Sequence, residues 1–155
     1  MIPFTGTVWR MTFEGQDARV PVTSPEGRFH HSGQVAIYSS LTAEGTAIAI
    51  RRYMSPEDAP RQIQPLQIDA ARVADLRGNR DASVIWQDIR ATGAPSPTWA
   101  FSDAARANGA QAMLYSSRSR PDLSHLVIFD PQIARAHPDA AAQPWPKDTC
   151  NSTRL

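Results

Sequence analysis

A glycine-containing turn that leads into a short apolar run is the feature that most constrains this chain. Gly27-Arg28-Phe29 is followed by Gly33 and then by the strand-like run Val35-Ala36-Ile37-Tyr38. An arginine on such a turn can grip a phosphate or pyrophosphate bidentately, and the tyrosine can present its ring face to a flat heterocycle. Neither Gly-x-Gly-x-x-Gly nor Gly-x-x-x-x-Gly-Lys occurs, so any dinucleotide is expected to bind without a Rossmann helix.

Composition predicts one globular domain of 155 residues, which is long enough for an ordinary core. The net charge is only +1, from 16 basic and 15 acidic residues, and such a balance creates no overall field for nucleic acid or membranes. No apolar run approaches the roughly 18 residues of a membrane-spanning helix, and the N-terminus lacks the pattern of a signal peptide. The single cysteine, Cys150, excludes an intrachain disulfide. We therefore expect a soluble, cytoplasmic protein.

The pattern of apolar residues and turn residues predicts strands and helices mixed without a βαβ rhythm, which indicates an α+β fold. Strands are predicted at 7–12, 34–39, 61–68, 112–115 and 125–129, and Pro65 marks the third as an edge or bent strand. Helices are predicted from 42 to about 53, at 81–92 and at 98–107, the last one stopped by Asn108-Gly109. The Pro- and Ala-rich residues after 130 are predicted to be part helix and part frayed end.

Six segments carry a family resemblance when they are taken in order. They are Trp9-Arg10, the Gly27 turn with its strand to Tyr38, Val73-Ala74-Asp75-Leu76, Pro97-Thr98-Trp99, the segment from Gly109 to Ser119, and Leu126-Val127-Ile128-Phe129. Together they resemble the RES domain, the toxin half of bacterial RES–Xre toxin–antitoxin modules. The resemblance implies a single RES-type domain over 1–155, with a core at about 9–129 and a C-terminal tail at 130–155. It also implies a small fold similar to ADP-ribosyltransferase toxins, in which two short sheets flanked by helices form a cleft for NAD.

The resemblance also implies an activity. RES toxins cut NAD, their substrate, at the nicotinamide–ribose bond. The acceptor is water or phosphate in the members that deplete NAD as glycohydrolases or phosphorylases. It is a protein in the mono-ADP-ribosyltransferases of the ParT-like branch, whose target is phosphoribosyl pyrophosphate synthetase, and the Arg/Ala/Pro-rich character of this chain favours that branch. The implied partner is a Xre-type antitoxin protein that blocks the active site.

Four side chains are assigned to NAD by this resemblance. Arg10 and Arg28 hold NAD, Tyr38 lines the nicotinamide–ribose pocket, and Ser117 orients the ribose or a phosphate; the last three are also assigned to catalysis. Each has a simpler alternative: a solvated surface arginine, a core tyrosine with a bonded hydroxyl, and a serine present for turn reasons. Ser116 takes the place of Ser117 if the register slips by one residue.

The catalytic glutamate of the family is absent. RES proteins carry it about eleven residues after the strand tyrosine, and counting from Tyr38 leads to Ala49. Cleavage passes through an oxocarbenium-like centre that a carboxylate would stabilise, while the nearest acid, Glu44, suits the helix dipole instead. Three explanations stay open: an enzyme that uses another group, a degenerate NAD-binding module, or a Glu→Ala substitution made so that a toxic protein could be produced.

Three other kinds of site have less support in the sequence: a metal site, a hydrolase triad and a nucleic-acid site. His30 and His31 are adjacent and lack a third ligand at proper spacing, so no metal site is predicted. A hydrolase triad of His125, Ser117 and Asp103 lacks the Gly-x-Ser-x-Gly elbow. Four further arginines are interpreted as the basic rim of an anionic-ligand cleft or as a solvated face, without the interleaved aromatic residues expected of a nucleic-acid site: Arg51, Arg52, Arg118 and Arg120.

Overall fold

The structure is a computed structural model that describes residues 1–50 and 60–145, with only the backbone of Ile50. The strands are β1 (Ile2–Phe13), β2 (Ile37–Ser40), β3 (Arg61–Asp75), β4 (Ala112–Ser116), β5 (Ser124–Ile128), β6 (Ala134–Ala136) and β7 (Gln143–Pro144). The α-helices are α1 (Ala43–Ile50), α2 (Trp86–Ala91) and α3 (Thr98–Ala107), and two 3₁₀ helices cover Arg80–Ser83 and Pro131–Ile133. No helix in these described ranges is long and apolar enough to cross a membrane.

The strands form one sheet that closes on itself. Its path is β1-β2-β5-β4-β3-β6, and β3 pairs with β1 as well, from Arg61 opposite Phe13 to Val73 opposite Ile2. Among the strands of the described residues, only β3 and β4 run parallel. The prediction of mixed helices and strands is confirmed, but the expected two separate short sheets are wrong for the described residues. With 12 and 15 residues, β1 and β3 are long enough to pair with each other and with other strands as well.

Strands β4 and β5 are buried on both faces, which explains their nearly continuous apolar runs. Leu114, Leu126 and Ile128 lie in one core cluster, together with Val8 of β1. Their neighbours along the strands, such as Met113 and Val127, lie in a second cluster that also includes residues of α3 and the Gly27 turn. Because successive side chains of a strand point to opposite faces, these two strands separate the two clusters and hold the turn against the sheet.

Several predicted elements are confirmed with small shifts. Strands β4 and β5 lie within a residue of their predicted bounds, and α3 spans Thr98–Ala107 as predicted. Gly109 follows α3 with a φ of +80°, the left-handed conformation expected after a helix. The Thr42 side chain caps α1 by accepting from the backbone N–H of Gly45 at 2.9 Å. Residues 51–59, which include the predicted end of this helix, lie outside the described residues.

Strand β3 continues through Pro65, the residue that the sequence predicted to mark an edge or bent strand. Pro65 lies opposite Trp9 of β1. On the other side of β3, pairing with β7 ends at Ile63 and pairing with β6 begins at Leu66. The proline therefore lies in a gap between those two pairings, where its missing N–H interrupts neither ladder.

The predicted helix 81–92 is divided, and the residues after 130 contribute to the sheet. A 3₁₀ turn at Arg80–Ser83 is followed by extended Val84, with φ −69° and ψ 162°, and then by the short α2. Strands β6 and β7 pair with β3, which corrects the prediction of helix and frayed end for those residues. Residues 146–155, which include Cys150, lie outside the described residues.

Candidate functional site

A cavity of about 730 Å³ lies beside the Gly27 turn. This volume falls within the range of sites that bind small molecules and cofactors. Its wall contains residues of β1, the turn, β2, α1 and the segment after β4. The structure thus brings together all the residues assigned from the sequence, with the alternative serine included: Arg10, Arg28, Tyr38, Ala49, Ser116 and Ser117.

The turn that carries Arg28 is held by helix α3. Three side chains of α3 donate hydrogen bonds to three successive turn carbonyls: Trp99 Nε1 to Gly27 at 2.8 Å, Thr98 Oγ1 to Arg28, and Arg106 Nη1 to Phe29 at 2.8 Å. The turn closes on itself through the N–H of Gly27, which donates to the carbonyl of His30 at 3.0 Å. Since each of these backbone groups is satisfied, the turn presents Arg28 from a fixed position.

Glycine is required at position 27 because of a close approach. A Cβ atom there would lie 2.3 Å from Cε1 and 2.6 Å from Nδ1 of His30, and 2.9 Å from the hydroxyl oxygen of Tyr38. His30 and Tyr38 are therefore packed against the backbone of Gly27, which only a residue without a side chain permits.

The hydroxyl of Tyr38 is used inside the protein. Its oxygen accepts from the N–H of Phe29 at 2.9 Å and lies 2.7 Å from Nδ1 of His30. His30 Nε2 lies 2.9 Å from the carbonyl oxygen of Ser24, which only accepts, so Nε2 carries the proton and Tyr38 donates to Nδ1. Burial raises the pKa of the Tyr38 hydroxyl and lowers the pKa of His30. Tyr38 thus lines the cavity, while its hydroxyl holds the turn.

Both predicted NAD-binding arginines line the cavity, and each donates to backbone carbonyls through Nη1. Arg28 Nη1 donates to the carbonyl of Val84 at 2.6 Å, which accounts for the extended backbone between the 3₁₀ turn and α2. Arg10 Nη1 donates to the carbonyls of Ala18, at 2.6 Å, and Val20. Burial lowers the pKa of Arg10, and Asp17 opposes that effect. These hydrogen bonds orient the guanidinium groups of Arg10 and Arg28 in the cavity wall.

Ser116 and Ser117 both line the cavity. The hydroxyl oxygen of Ser117 accepts from the N–H of Arg120 at 3.3 Å, and that of Ser116 accepts from the N–H of Gly78 at 2.9 Å. Since each oxygen acts as an acceptor, each hydroxyl keeps its proton for donation to a ligand. Ser117 is the more buried of the two, at 5% exposed.

Helix α1 turns the side of Thr46 and Ala49 toward the cavity. Thr46 Oγ1 donates to the carbonyl of Trp9 at 2.9 Å, which fixes the helix against β1. The acids in the described lining are Asp17 and Glu26, and each is paired with an arginine, Arg19 at 2.9 Å and Arg90 at 3.1 Å respectively. Glu44 has a side chain that is 64% exposed and lies 3.4 Å from Arg120. No carboxylate is therefore present at position 49 or on the Thr46–Ala49 side of α1.

His125 is a cavity residue that the sequence did not single out for NAD. Its Nδ1 lies 2.6 Å from the hydroxyl of buried Ser40. Burial and the nearby charge of Arg28 lower the pKa of His125 to about 4, so the ring is neutral at pH 7. One feature of the sequence could have pointed to His125: it is a polar residue at the start of the otherwise apolar predicted strand 125–129. The triad with Asp103 does not form, because Asp103 binds His31 at 2.9 Å.

The remaining sequence candidates lie around this site. Arg118 lines the cavity and is exposed, while Arg120 pairs with Asp122 at 2.8 Å. Arg51 and Arg52 fall outside the described residues. Within residues 1–50 and 60–145, no three histidine, cysteine or acidic side chains group as metal ligands.

Comparison with known proteins decides the family. The model of the RES domain matches residues 7–148. This chain belongs to the RES family. A solved structure with the same fold is that of the M. tuberculosis MbcT–MbcA toxin–antitoxin complex, with a TM-score of 0.60 and 22% sequence identity over 92% of this chain and 82% of that chain. No curated protein matches the chain. The RES family is thus the one that the ordered motifs indicated.

Proposed function

We propose that this RES domain is the toxin of a type II toxin–antitoxin module and consumes NAD as a mono-ADP-ribosyltransferase. The observation that carries the proposal is the fixed turn of Arg28, which faces a cavity of about 730 Å³. A guanidinium in such a wall binds a diphosphate bidentately. Arg10 lies in the same wall and supplies a second cation.

NAD would occupy the cavity with its diphosphate toward these arginines. The Tyr38 ring offers an apolar face to the nicotinamide end, and Ser117 has a hydroxyl proton for a ribose or phosphate oxygen. In the reaction, the bond between C1′ of the ribose and the nicotinamide nitrogen breaks, and nicotinamide leaves with the bonding electron pair. The acceptor then bonds to C1′ and loses its proton, so that ADP-ribose is transferred.

Among the described lining residues no side chain is an effective general base, which favours a protein as the acceptor over water. Asp17 and Glu26, the acids of the described lining, are both paired with arginines. His125, with its pKa near 4, is a weak general base at neutral pH, where an effective base has a pKa near the working pH. A target side chain that is more nucleophilic than water, such as an amine or a carboxylate, needs less help from such a base. Phosphoribosyl pyrophosphate synthetase is the target to test first.

Two alternatives are kept, the first because the acceptor of ADP-ribose is open and the second because position 49 is alanine. The chain could be an NAD glycohydrolase or phosphorylase, which releases nicotinamide with water or phosphate as acceptor. It could also be a degenerate module that binds NAD without cleaving it, which the lack of a carboxylate on the cavity side of α1 favours.

Calorimetry with NAD, run beside a nicotinamide-release assay, distinguishes these functions. Release that depends on phosphoribosyl pyrophosphate synthetase, with label from adenine-labelled NAD on that protein, supports the transferase. Release without a protein acceptor supports a glycohydrolase, or a phosphorylase if phosphate is required. Binding without release supports the module. A protein that neither binds nor cleaves NAD contradicts all of them.

The partner we propose is a Xre-type antitoxin that blocks the cavity. The structural neighbour MbcT was solved in complex with MbcA as a toxin–antitoxin complex. A helix-turn-helix protein encoded beside this gene is the candidate to test. It should bind the purified RES domain and compete with NAD in calorimetry; binding without competition would place the antitoxin elsewhere.

A further inference from the structure

His125 is a buried titratable residue that the proposed reaction does not yet use. It is 5% exposed and lines the cavity, and its Nδ1 is held 2.6 Å from the hydroxyl of Ser40. Its other ring nitrogen, Nε2, makes no hydrogen bond within the described residues. One nitrogen therefore fixes the ring, and the other remains for a ligand in the cavity.

Because the His125 ring is neutral, an uncharged group of the ligand is the best partner for Nε2. The pKa of His125 is lowered by burial and by Arg28, so the neutral ring brings no positive charge to a phosphate. A neutral imidazole either donates or accepts through Nε2, depending on the direction of its bond with Ser40. A hydroxyl can do both, because its proton rotates to suit the partner.

The position of Ser40 places this pair beside helix α1. A Cβ atom on Gly45 would lie 3.3 Å from Cβ of Ser40, so the first turn of α1 packs directly on Ser40. The same helix carries Ala49 in the cavity wall. The pair of Ser40 and His125 thus lies beside the helix that carries Ala49, near which the reacting ribose would lie under the proposed function.

We propose that His125 contacts the substrate, with Nε2 forming a hydrogen bond to a hydroxyl of the nicotinamide-side ribose and Ser40 acting as the positioning residue. The inference rests on the proposed NAD activity. It adds a residue that binds the nicotinamide half of NAD and not the ADP half. A hydrogen bond to a sugar hydroxyl that strengthens as the glycosidic bond breaks also lowers the barrier. His125 would supply the polar part of that effect without the charge of a carboxylate.

Two variants and two ligands test the contact by calorimetry. In His125→Asn the amide lies near the place of Nδ1 and can still meet Ser40, while in His125→Gln the amide reaches the place of Nε2. We expect the Asn variant to bind NAD about tenfold more weakly, the size of one hydrogen bond to a neutral group, and the Gln variant to keep most of the affinity. ADP lacks the nicotinamide-side ribose, so its affinity should change less than twofold in both.

His137→Asn is the matched control, because His137 also pairs with a hydroxyl, that of Thr7 at 2.9 Å, but does not line the cavity. It should leave both affinities unchanged. An unchanged NAD affinity in folded His125→Asn overturns the inference, as does an equal loss for NAD and ADP. If the Asn variant does not fold, equal weakening of NAD and ADP by the Gln variant overturns it. A wild-type protein that binds neither ligand overturns the proposed function as well.

Discussion

The indole N–H of Trp99 donates to the carbonyl oxygen of Gly27 at 2.8 Å, across 72 positions of sequence. This bond joins the start of helix α3 to the turn that presents Arg28. Two segments that the family resemblance identified separately, the glycine turn and Pro97-Thr98-Trp99, are therefore parts of one structure. The stability of the turn and the function of the cavity should consequently be coupled.

Gly27→Ala tests this coupling. The added methyl would lie 2.3 Å from Cε1 of His30, so the histidine and the turn must shift, at about 1–3 kcal/mol. We expect a lower free energy of unfolding in urea and weaker NAD binding. Gly6→Ala is the control, since its Cβ would meet nothing closer than 3.6 Å. Equal stability of the two variants would contradict the packing described for Gly27.

Arg28→Ala should abolish measurable NAD binding. Loss of a charged, bidentate partner in a cavity costs roughly 2–5 kcal/mol. Calorimetry with NAD measures the effect, and Arg77→Ala is the control, because Arg77 pairs with Asp75 at 2.8 Å and does not line the cavity. Unchanged affinity in Arg28→Ala would remove this residue from the site.

Tyr38→Phe should lower the free energy of unfolding but reduce NAD turnover less than Tyr38→Ala does. The change removes the acceptor of the Phe29 N–H and the donor to His30 Nδ1, and an unsatisfied buried group costs about 1–3 kcal/mol. The ring remains, so NAD turnover should fall less than in Tyr38→Ala. Thermal unfolding and nicotinamide release measure the two effects. An equal loss of turnover in both variants would assign the role to the hydroxyl.

Ala49→Glu should raise NAD turnover by at least about a hundredfold, the scale of one preorganised electrostatic group. The side chain would project into the cavity, where its charge stabilises positive charge that develops on the ribose only in the transition state. NAD affinity should change little. Ala49→Gln, of similar shape but uncharged, should give no such gain. A folded Glu variant that is no faster would show that position 49 is not the site of the family glutamate.

Acidification should weaken the fold through His125. Its pKa is about 4 in the folded protein, against 6.5 for an ordinary histidine, so between these values the unfolded chain binds a proton that the folded chain does not. Stability is therefore lost as pH falls from about 6.5 to 4, by on the order of 3 kcal/mol. Urea unfolding at several pH values should show a smaller loss for His125→Asn than for His137→Asn. Equal losses would contradict burial of a neutral ring.

Much of the secondary structure could be predicted because it depends on local chemistry. The apolar runs of β4 and β5 indicate strands that are buried on both faces, and Asn108-Gly109 marks the end of α3. The segment 81–92 has a helical pattern, yet Val84 is extended and its carbonyl accepts from Arg28. That contact joins residues 56 positions apart, so no local pattern could reveal it.

The sequence by itself determined the family and the candidate residues, because motif residues and their order are properties of the chain alone. Only the tertiary structure decided what those residues contact. It closes the sheet by pairing β1 with β3, directs the hydroxyl of Tyr38 to the turn, and brings His125 to the cavity beside Ser40, 85 positions away in sequence. The physical reason is that burial and hydrogen-bond partners are set by distant segments, and these determine which polar atoms remain for a ligand.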